Sequence, residues 1–260
     1  MTDGVFNITL NGIKHSYMHL IKLNAIASTN DYLKQLAQQK DLRDLTVVVC
    51  DHQTSGRGQK GNSWVSEEGK NLTLSVLKRF SNLGARQGFS LNCLVSLAIF
   101  DVLQELSVPE VRVKWPNDIM SGNKKICGIL IENTLQGTTV QQSIIGVGLN
   151  VNQANFGELT NASSLKLATG KDYNLDELLN KLLRHIEFRL KSLEVLNFQE
   201  IIQQYEAVLF RMETKAPFRV GKEQPFKGTI KGVTESGQLK IERENGRMEH
   251  FNFKEVTFIY

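Results

Sequence analysis

KICGILIEN (125–133) and, beyond a Gln136-Gly137 turn, QQSIIGVGLNV (141–151) decide the fold. Both are short apolar runs rich in isoleucine and valine and bounded by turn residues, the pattern of buried strands. The Gln136-Gly137 pair suits a hairpin, so the two runs are expected side by side and antiparallel. VRVKW (111–115) comes before them across a Ser121-Gly122-Asn123 turn and extends the same sheet. Upstream, LTVVVC (45–50) and NLTLSVL (71–77) read as two more strands, separated by a stretch, 51–70, with no apolar periodicity.

Helices flank this sheet. Between Gln87 and Leu106, Leu91, Leu94, Val95, Ala98, Ile99, Val102 and Leu103 recur at helical spacing and predict a long helix packed on the strands. Ser28, Thr29 and Asn30 precede DYLKQLAQQK, and Ser28 with Asp31 three residues on resembles a helix cap, so a helix is predicted to start there. Two further amphipathic helices are read over 175–196 and 198–209. Strands in runs and helices in runs indicate an α+β fold with a mixed, largely antiparallel sheet. After Met212 the pattern changes to short alternating segments with turn signals at Gly221-Lys222, Glu235-Ser236-Gly237 and Glu244-Asn245-Gly246. That predicts a small antiparallel barrel of about five strands, hence a division into 1–212 and 213–260.

With 41% hydrophobic and 22% charged residues the chain has an ordinary globular composition. The opening MTDGVFNITLNG has no basic segment leading into an apolar one, and no run of about 18 apolar residues occurs, so a cytoplasmic protein without a membrane span is expected. Cys50, Cys93 and Cys127 are odd in number, far apart and set in apolar runs, which argues against disulfides or a zinc cluster. His15 and His19 form H-x3-H but offer no third ligand, so metal binding there is the weaker reading. A net charge of +4 without a dense Lys/Arg block fits an anionic small substrate as well as nucleic acid.

Four segments carry chemistry. Gly56-Arg57-Gly58-Gln59-Lys60-Gly61-Asn62-Ser63-Trp64 joins three glycines, whose amides can turn inward around an anion, to two cations and an aromatic. Its spacing is neither that of a P-loop nor that of a dinucleotide fingerprint, and glycines alone leave a plain hairpin tip equally open. Lys114-Trp115-Pro116-Asn117-Asp118 ends a strand with a cation, an amide and a carboxylate, either a ligand-facing group or a solvated pair. Lys125 opens a strand with Gly128 inside it, and interior glycines mark close approach of a ligand or backbone. Gly146-Val147-Gly148-Leu149-Asn150 repeats the theme.

In this order, S-T-N, G-R-G-x-x-G-x-x-W, K-W-P-N-D, K-x-x-G-I-L-x-E and G-x-G-x-N, the segments resemble the catalytic domain of biotin protein ligases from about Ser28 to Asn152. The C-terminal segment resembles the family's appended SH3-like domain. The resemblance implies a catalytic domain related to class II aminoacyl-tRNA synthetases. The activity it implies is ATP-dependent activation of biotin to biotinyl-5'-AMP, then transfer to a lysine of a biotin carboxyl carrier domain. Mg²⁺ would ride on the ATP phosphates, without a dedicated protein cage. Biotin would be held by Ser28, Thr29, Asn30, Gln53, Gly56, Arg57, Gly58, Lys125 and Gly128. The nucleotide would meet Gln59, Lys60, Trp64, Asn117, Lys125 and Asn150. Lys125, Lys114, Arg57 and Asp118 would carry the chemistry, the cations neutralising two anions and Asp118 orienting the incoming amine.

At Gln59 the chain departs from a common family pattern, which has arginine there, so a forked cation is missing from the loop. Only 27 residues precede Ser28, too few for the DNA-binding module some biotin ligases carry, so no operator binding is expected. Strand edges leave room for the carrier or for a second copy of the chain as a homodimer. Rival readings are a lipoate or octanoate ligase of the same fold, a non-catalytic nucleic-acid-binding module, and a pure interaction protein.

Overall fold

A computed structural model describes residues 18–260; His15 and the rest of 1–17 lie outside the described residues. The chain runs β1 Leu20–Ile26, α1 Thr29–Gln39, β2 Val47–Gln53, β3 Gly56–Arg57, β4 Ser63–Trp64, β5 Leu72–Gly84, α2 Gly88–Glu105, β6 Val111–Lys114, β7 Asp118–Ser121, β8 Lys124–Gln136 and β9 Thr139–Leu149. It continues with α3 Leu165–Thr169, α4 Leu175–Lys191, α5 Phe198–Ala207, β10 Lys215–Val220, β11 Phe226–Val233, β12 Leu239–Arg243, β13 Met248–Phe251 and β14 Val256–Phe258. Seven strands form the main sheet in the order β1-β2-β5-β9-β8-β7-β6, with β1–β2 parallel and the other pairs antiparallel. The fold is thus α+β with a mixed sheet.

Alternation along the central strands assigns each face its work. On β9, Ile145, Val147 and Leu149 point into the large core beneath α2, whereas Ile144 joins a second cluster with Leu33, Val48 and Leu77 under α1. Gly146 and Gly148 follow Ile144 on that second face. Across the ladder Gly148 pairs with Gly128 and Thr73, and Gly146 with Leu130 and Ser75. The α1 face is therefore apolar at one end, and beyond it Gly146 and Gly148 leave room above the sheet.

Local chemistry explains where α1 starts. Ser28 is extended, and its side chain accepts a hydrogen bond from the Asp31 amide, satisfying a donor the helix cannot. On the opposite face α2 packs between β6–β8 and the pair α4 and α5. By length (18 residues) and mean hydropathy (1.2) α2 could cross a bilayer, but most of it is enclosed by these neighbours.

The structure corrects two expectations, the strand linkage and the closed barrel, and fills in the 51–70 stretch. Ser121-Gly122-Asn123 joins β7 to β8, so β7 intervenes between VRVKW and KICGILIEN; four residues after Asn117 are too few to register as an apolar run. The 51–70 stretch holds a two-residue hairpin, β3 with β4. The C-terminal strands form a five-stranded antiparallel sheet, β13-β12-β11-β10-β14, which is not a closed barrel. Its outer strands β13 and β14 span only four and three residues, and the chain turns between them through an Asn252 amide bond to Glu255 of 2.6 Å. This sheet shares the large core through Phe218, Ile230, Leu239, Ile241 and Phe251.

Candidate active site

The glycine strip forms the floor of a cavity on the α1 face. A Cβ on Gly148 would lie 2.5 Å from the Trp64 ring, and one on Gly146 would collide with the Asn30 side chain. These positions must be glycine for their neighbours to lie flat on the sheet. Interior strand glycines cost about 0.5–1 kcal/mol each, a destabilisation that the close approach explains.

One end of this cavity is a chain of polar side chains. Gln53 Oε1 accepts from the Thr29 amide at 2.8 Å and its hydroxyl at 3.1 Å. Ser75 Oγ lies 2.8 Å from Thr29 Oγ1 and 2.6 Å from Asn30 Oδ1. Asn30 Nδ2 donates to Glu132 at 2.9 Å. Ser28, Thr29, Asn30 and Ser75 are all buried, and buried hydroxyls and amides are tolerated because each is partnered. Ser75 and Glu132 were not singled out as site residues from sequence. Their only sequence signals are a serine at a polar beat of NLTLSVL and an acid closing an apolar strand.

The glycine-rich loop lies over this cavity. Gly56 pairs with Trp64 and Arg57 with Ser63, the Gly58 amide donates to the Asn62 carbonyl at 2.7 Å, and Gln59–Gly61 make one tight turn. The Lys60 side chain lies outside the described residues. Arg57 bridges Asp31, at the start of α1, and Glu132 on β8 at 3.3 Å. Partial burial works against its charge, but Glu132 and Asp31 outweigh it and raise its pKa. The guanidinium thus ties the loop to helix and sheet, and its charge is already engaged.

Trp64 and Lys125 line both this cavity and a second one. Lys125 Nζ sits 5.7 Å from the Trp64 ring centre and 2.6 Å from Asp118 Oδ1. Lys114, Asp118 and Asn150 open onto the second cavity, with Phe156 and Leu159 on its far wall. Asn150 Nδ2 donates to the Ser163 carbonyl at 2.8 Å, while its Oδ1 is buried without a partner. Trp64 Nε1 is likewise a buried donor without a partner. Unsatisfied buried groups cost about 1–3 kcal/mol, and two of them, Asn150 Oδ1 and Trp64 Nε1, belong to residues lining this cavity.

The other predicted residues fall as follows. Asn117 is at the wall of the first cavity with its amide donating to the Ile129 carbonyl at 2.6 Å, so it fastens β7 to β8. Gln59 and Gly58 reach the rim, and Gly128 lies beneath Lys125 and Trp64. Arg57 and Lys125 share the first cavity, Lys114, Lys125 and Asn150 the second. The four therefore gather around a pair of cavities joined at Lys125. Among the described residues no three His, Cys, Asp or Glu side chains come together as metal ligands.

Comparison with known proteins places this geometry. The Biotin/lipoate A/B protein ligase family matches residues 23–150. The bifunctional ligase/repressor BirA of Bacillus spizizenii is 30% identical over 241 residues, 90% of this chain and 73% of that protein. The chain belongs to the biotin/lipoate A/B protein ligase family. Within it, a biotin–acetyl-CoA-carboxylase ligase of Mycobacterium tuberculosis is 29% identical over 221 residues, 83% of this chain and 80% of that one. The solved biotin protein ligase from Aquifex aeolicus in complex with biotin and ATP superposes with a TM-score of 0.75 at 30% identity, covering 92% of this chain and 98% of the other. In this biotin ligase fold the matched segment, 23–150, spans both sides of the glycine floor and ends at Asn150.

Proposed function

We infer that the chain is a biotin–protein ligase: it activates biotin with ATP to biotinyl-5'-AMP and passes the acyl group to a lysine of a biotin carboxyl carrier domain. The observation that carries this reading is the shared edge of two cavities. One ends in partnered amides and hydroxyls, the other holds an unpartnered amide oxygen, and Lys125 stands between them.

Each part has a physical role in the proposal. The Thr29, Asn30, Gln53 and Ser75 chain offers donors and acceptors to a cyclic urea, with Ser28 capping the helix that presents them. The backbone of Gly56, Arg57 and Gly58 covers the ring, and Gly128 lets the acyl chain lie on the sheet. Asn150 Oδ1 accepts from the amino group of adenine, and Trp64 flanks the adenylate. Gln59 and Asn117 line the approach to the phosphates.

A carboxylate and a triphosphate repel each other, so cations must meet both while their atoms align. Lys125 serves the biotin carboxylate and the α-phosphate, and Lys114 the remaining phosphates. Mg²⁺ on the triphosphate would supply further neutralisation. The carboxylate oxygen attacks the α-phosphorus and pyrophosphate leaves. The carrier amine then attacks the acyl carbon, its proton is lost, and AMP departs. Asp118, fixed by Lys125, orients that amine. Arg57, engaged by two carboxylates, acts by holding the loop closed, so that water is kept from the mixed anhydride.

In the same proposal residues 1–212 form the catalytic unit and 213–260 an appended one, and the enzyme works in the cytoplasm, where its three buried free thiols stay reduced. Incubation with ATP and Mg²⁺ and, in parallel, biotin, lipoate or octanoate tests the reading by mass detection of the acyl-adenylate. Biotin alone is expected to react. A lipoyl or octanoyl tail would leave the amide and hydroxyl chain unmatched; preferential formation of either adenylate would overturn the assignment.

A further inference from the structure

Lys114 is held by aromatic rings without the carboxylate that Lys125, itself over the Trp64 ring, also has. Its Nζ lies 5.2 Å from the centre of the Phe258 ring and 5.4 Å from that of Tyr260, both from the end of the C-terminal sheet. Among the described residues no carboxylate forms an ion pair with it, whereas Lys125 on the same cavity is paired with Asp118. The two rings are themselves fixed. The Arg211 guanidinium sits 5.0 Å from the Tyr260 ring centre and donates to the Ile259 carbonyl at 2.9 Å. Phe210 flanks Tyr260 at 6.3 Å and Phe258 at 6.5 Å.

Lysine carries its charge on a flexible four-carbon stem, so a lysine that must meet an anion in one place has to be ordered first. A carboxylate orders it but also cancels its charge. Aromatic faces within about 6 Å attract the ammonium through their quadrupoles and leave the charge intact. We propose that Phe258 and Tyr260 are positioning residues for Lys114, which preset its ammonium to receive the triphosphate in the second cavity. The proposal rests on reading that cavity as the nucleotide site. It gives the C-terminal sheet a part in the first half-reaction, felt through ATP and not through biotin.

Tyr260 is half-exposed, which makes it the safer of the two rings to remove. Tyr260→Leu, Tyr260→Phe, Lys114→Ala and the Lys114→Ala/Tyr260→Leu double variant are to be compared by biotin-dependent pyrophosphate release, with KM for MgATP and for biotin measured separately. Loss of one ring of the cage is expected to raise KM for MgATP roughly fivefold and to leave that for biotin within about twofold, and Tyr260→Phe to rescue it. The double variant is expected to be no worse than Lys114→Ala, because Tyr260 acts through that lysine. A second readout needs no turnover. In protein with ¹³C-labelled lysine, the Lys114 ε-methylene signal, assigned by its loss in Lys114→Ala, is expected upfield of other lysines through the ring currents. It moves back in Tyr260→Leu and stays in Tyr260→Phe. Losses that multiply in the double variant, an equal rise in both KM values, or an unshifted Lys114 signal in the unmutated protein would overturn the positioning role. Unchanged adenylation kinetics in Lys114→Ala would instead remove the nucleotide reading of the cavity, and the proposal with it.

Discussion

The floor of the site and the loop above it are built on opposite principles. The floor belongs to three long paired strands, β5, β8 and β9, with Thr73, Ser75, Gly128, Gly146 and Gly148 facing one another across the ladder. The loop has a two-residue hairpin, one tight turn, and the exposed ion pairs of Arg57 with Asp31 and Glu132. Ladders with a packed underside open only with the whole domain, whereas short turns and surface pairs open at little cost. Recognition rests on what cannot move, and retention of the intermediate on what can.

Changes to the floor should therefore weigh most. Gly148→Val pushes the Trp64 ring off the sheet, and displacement of that order is expected to lower biotin-dependent pyrophosphate release by about 100-fold or more. Circular dichroism should show the fold retained; a variant that keeps more than a tenth of the activity would mean the ring does not need the strip. Next comes Lys125→Ala. Losing a cation from the developing charge is expected to lower kcat by roughly 100-fold, measured in the same assay, with thermal stability little changed.

The polar end of the cavity gives a smaller, more selective effect. Thr29→Val leaves Gln53 and Ser75 each short of a partner, and the cost of about 1–3 kcal/mol should appear as a roughly 5- to 100-fold weaker biotin Kd by calorimetry. Its KM for ATP should hardly move. On the loop, Arg57→Gln severs two exposed pairs worth at most about 1 kcal/mol each. The expected result is a few-fold faster hydrolysis of retained biotinyl-5'-AMP and faster proteolysis within 56–64, with biotin affinity nearly intact. Loss of biotin affinity as large as in Thr29→Val would erase the distinction drawn above.

The smallest expected effect is none at all. Cys127 lies on β8 directly under the floor and Cys93 on α2, both fully buried, and burial pushes both thiols well above their ordinary pKa. Iodoacetamide at pH 8 should leave both unmodified in the native protein. Labelling within minutes would show that the floor opens as readily as the loop.

Sequence reading reached the parts of this site whose signals are local. The Ser28 cap, the hairpin from Lys125 to Asn150 and the order of the glycine segments are periodicity and turn chemistry within a few residues. β1 escaped because LIKLNAI carries Lys22 and Asn24 and becomes a strand only by pairing with β2. β7 escaped because four residues after a proline leave no period to count. Arg57 was read as a neutraliser of ligand charge, and its pairing with Glu132, 75 residues away, could not be read from spacing. The rings around Lys114 are more distant still, supplied by strands whose turns were legible but whose docking was not. Turn signals likewise announced five C-terminal strands without saying that the outermost two stay apart.

The alternation along β9 has a consequence for how this protein can change. Its odd-numbered residues Ile145, Val147 and Leu149 stabilise the domain, while Gly146 and Gly148 between them make room for the chemistry. Gaining or losing a single residue there would trade the two sets, sending isoleucine and valine into the ligand's space and glycines into the interior. Descendants of this enzyme can therefore drift freely in the length of their hairpin tips, but this segment admits only exchanges that preserve its reading frame of sides.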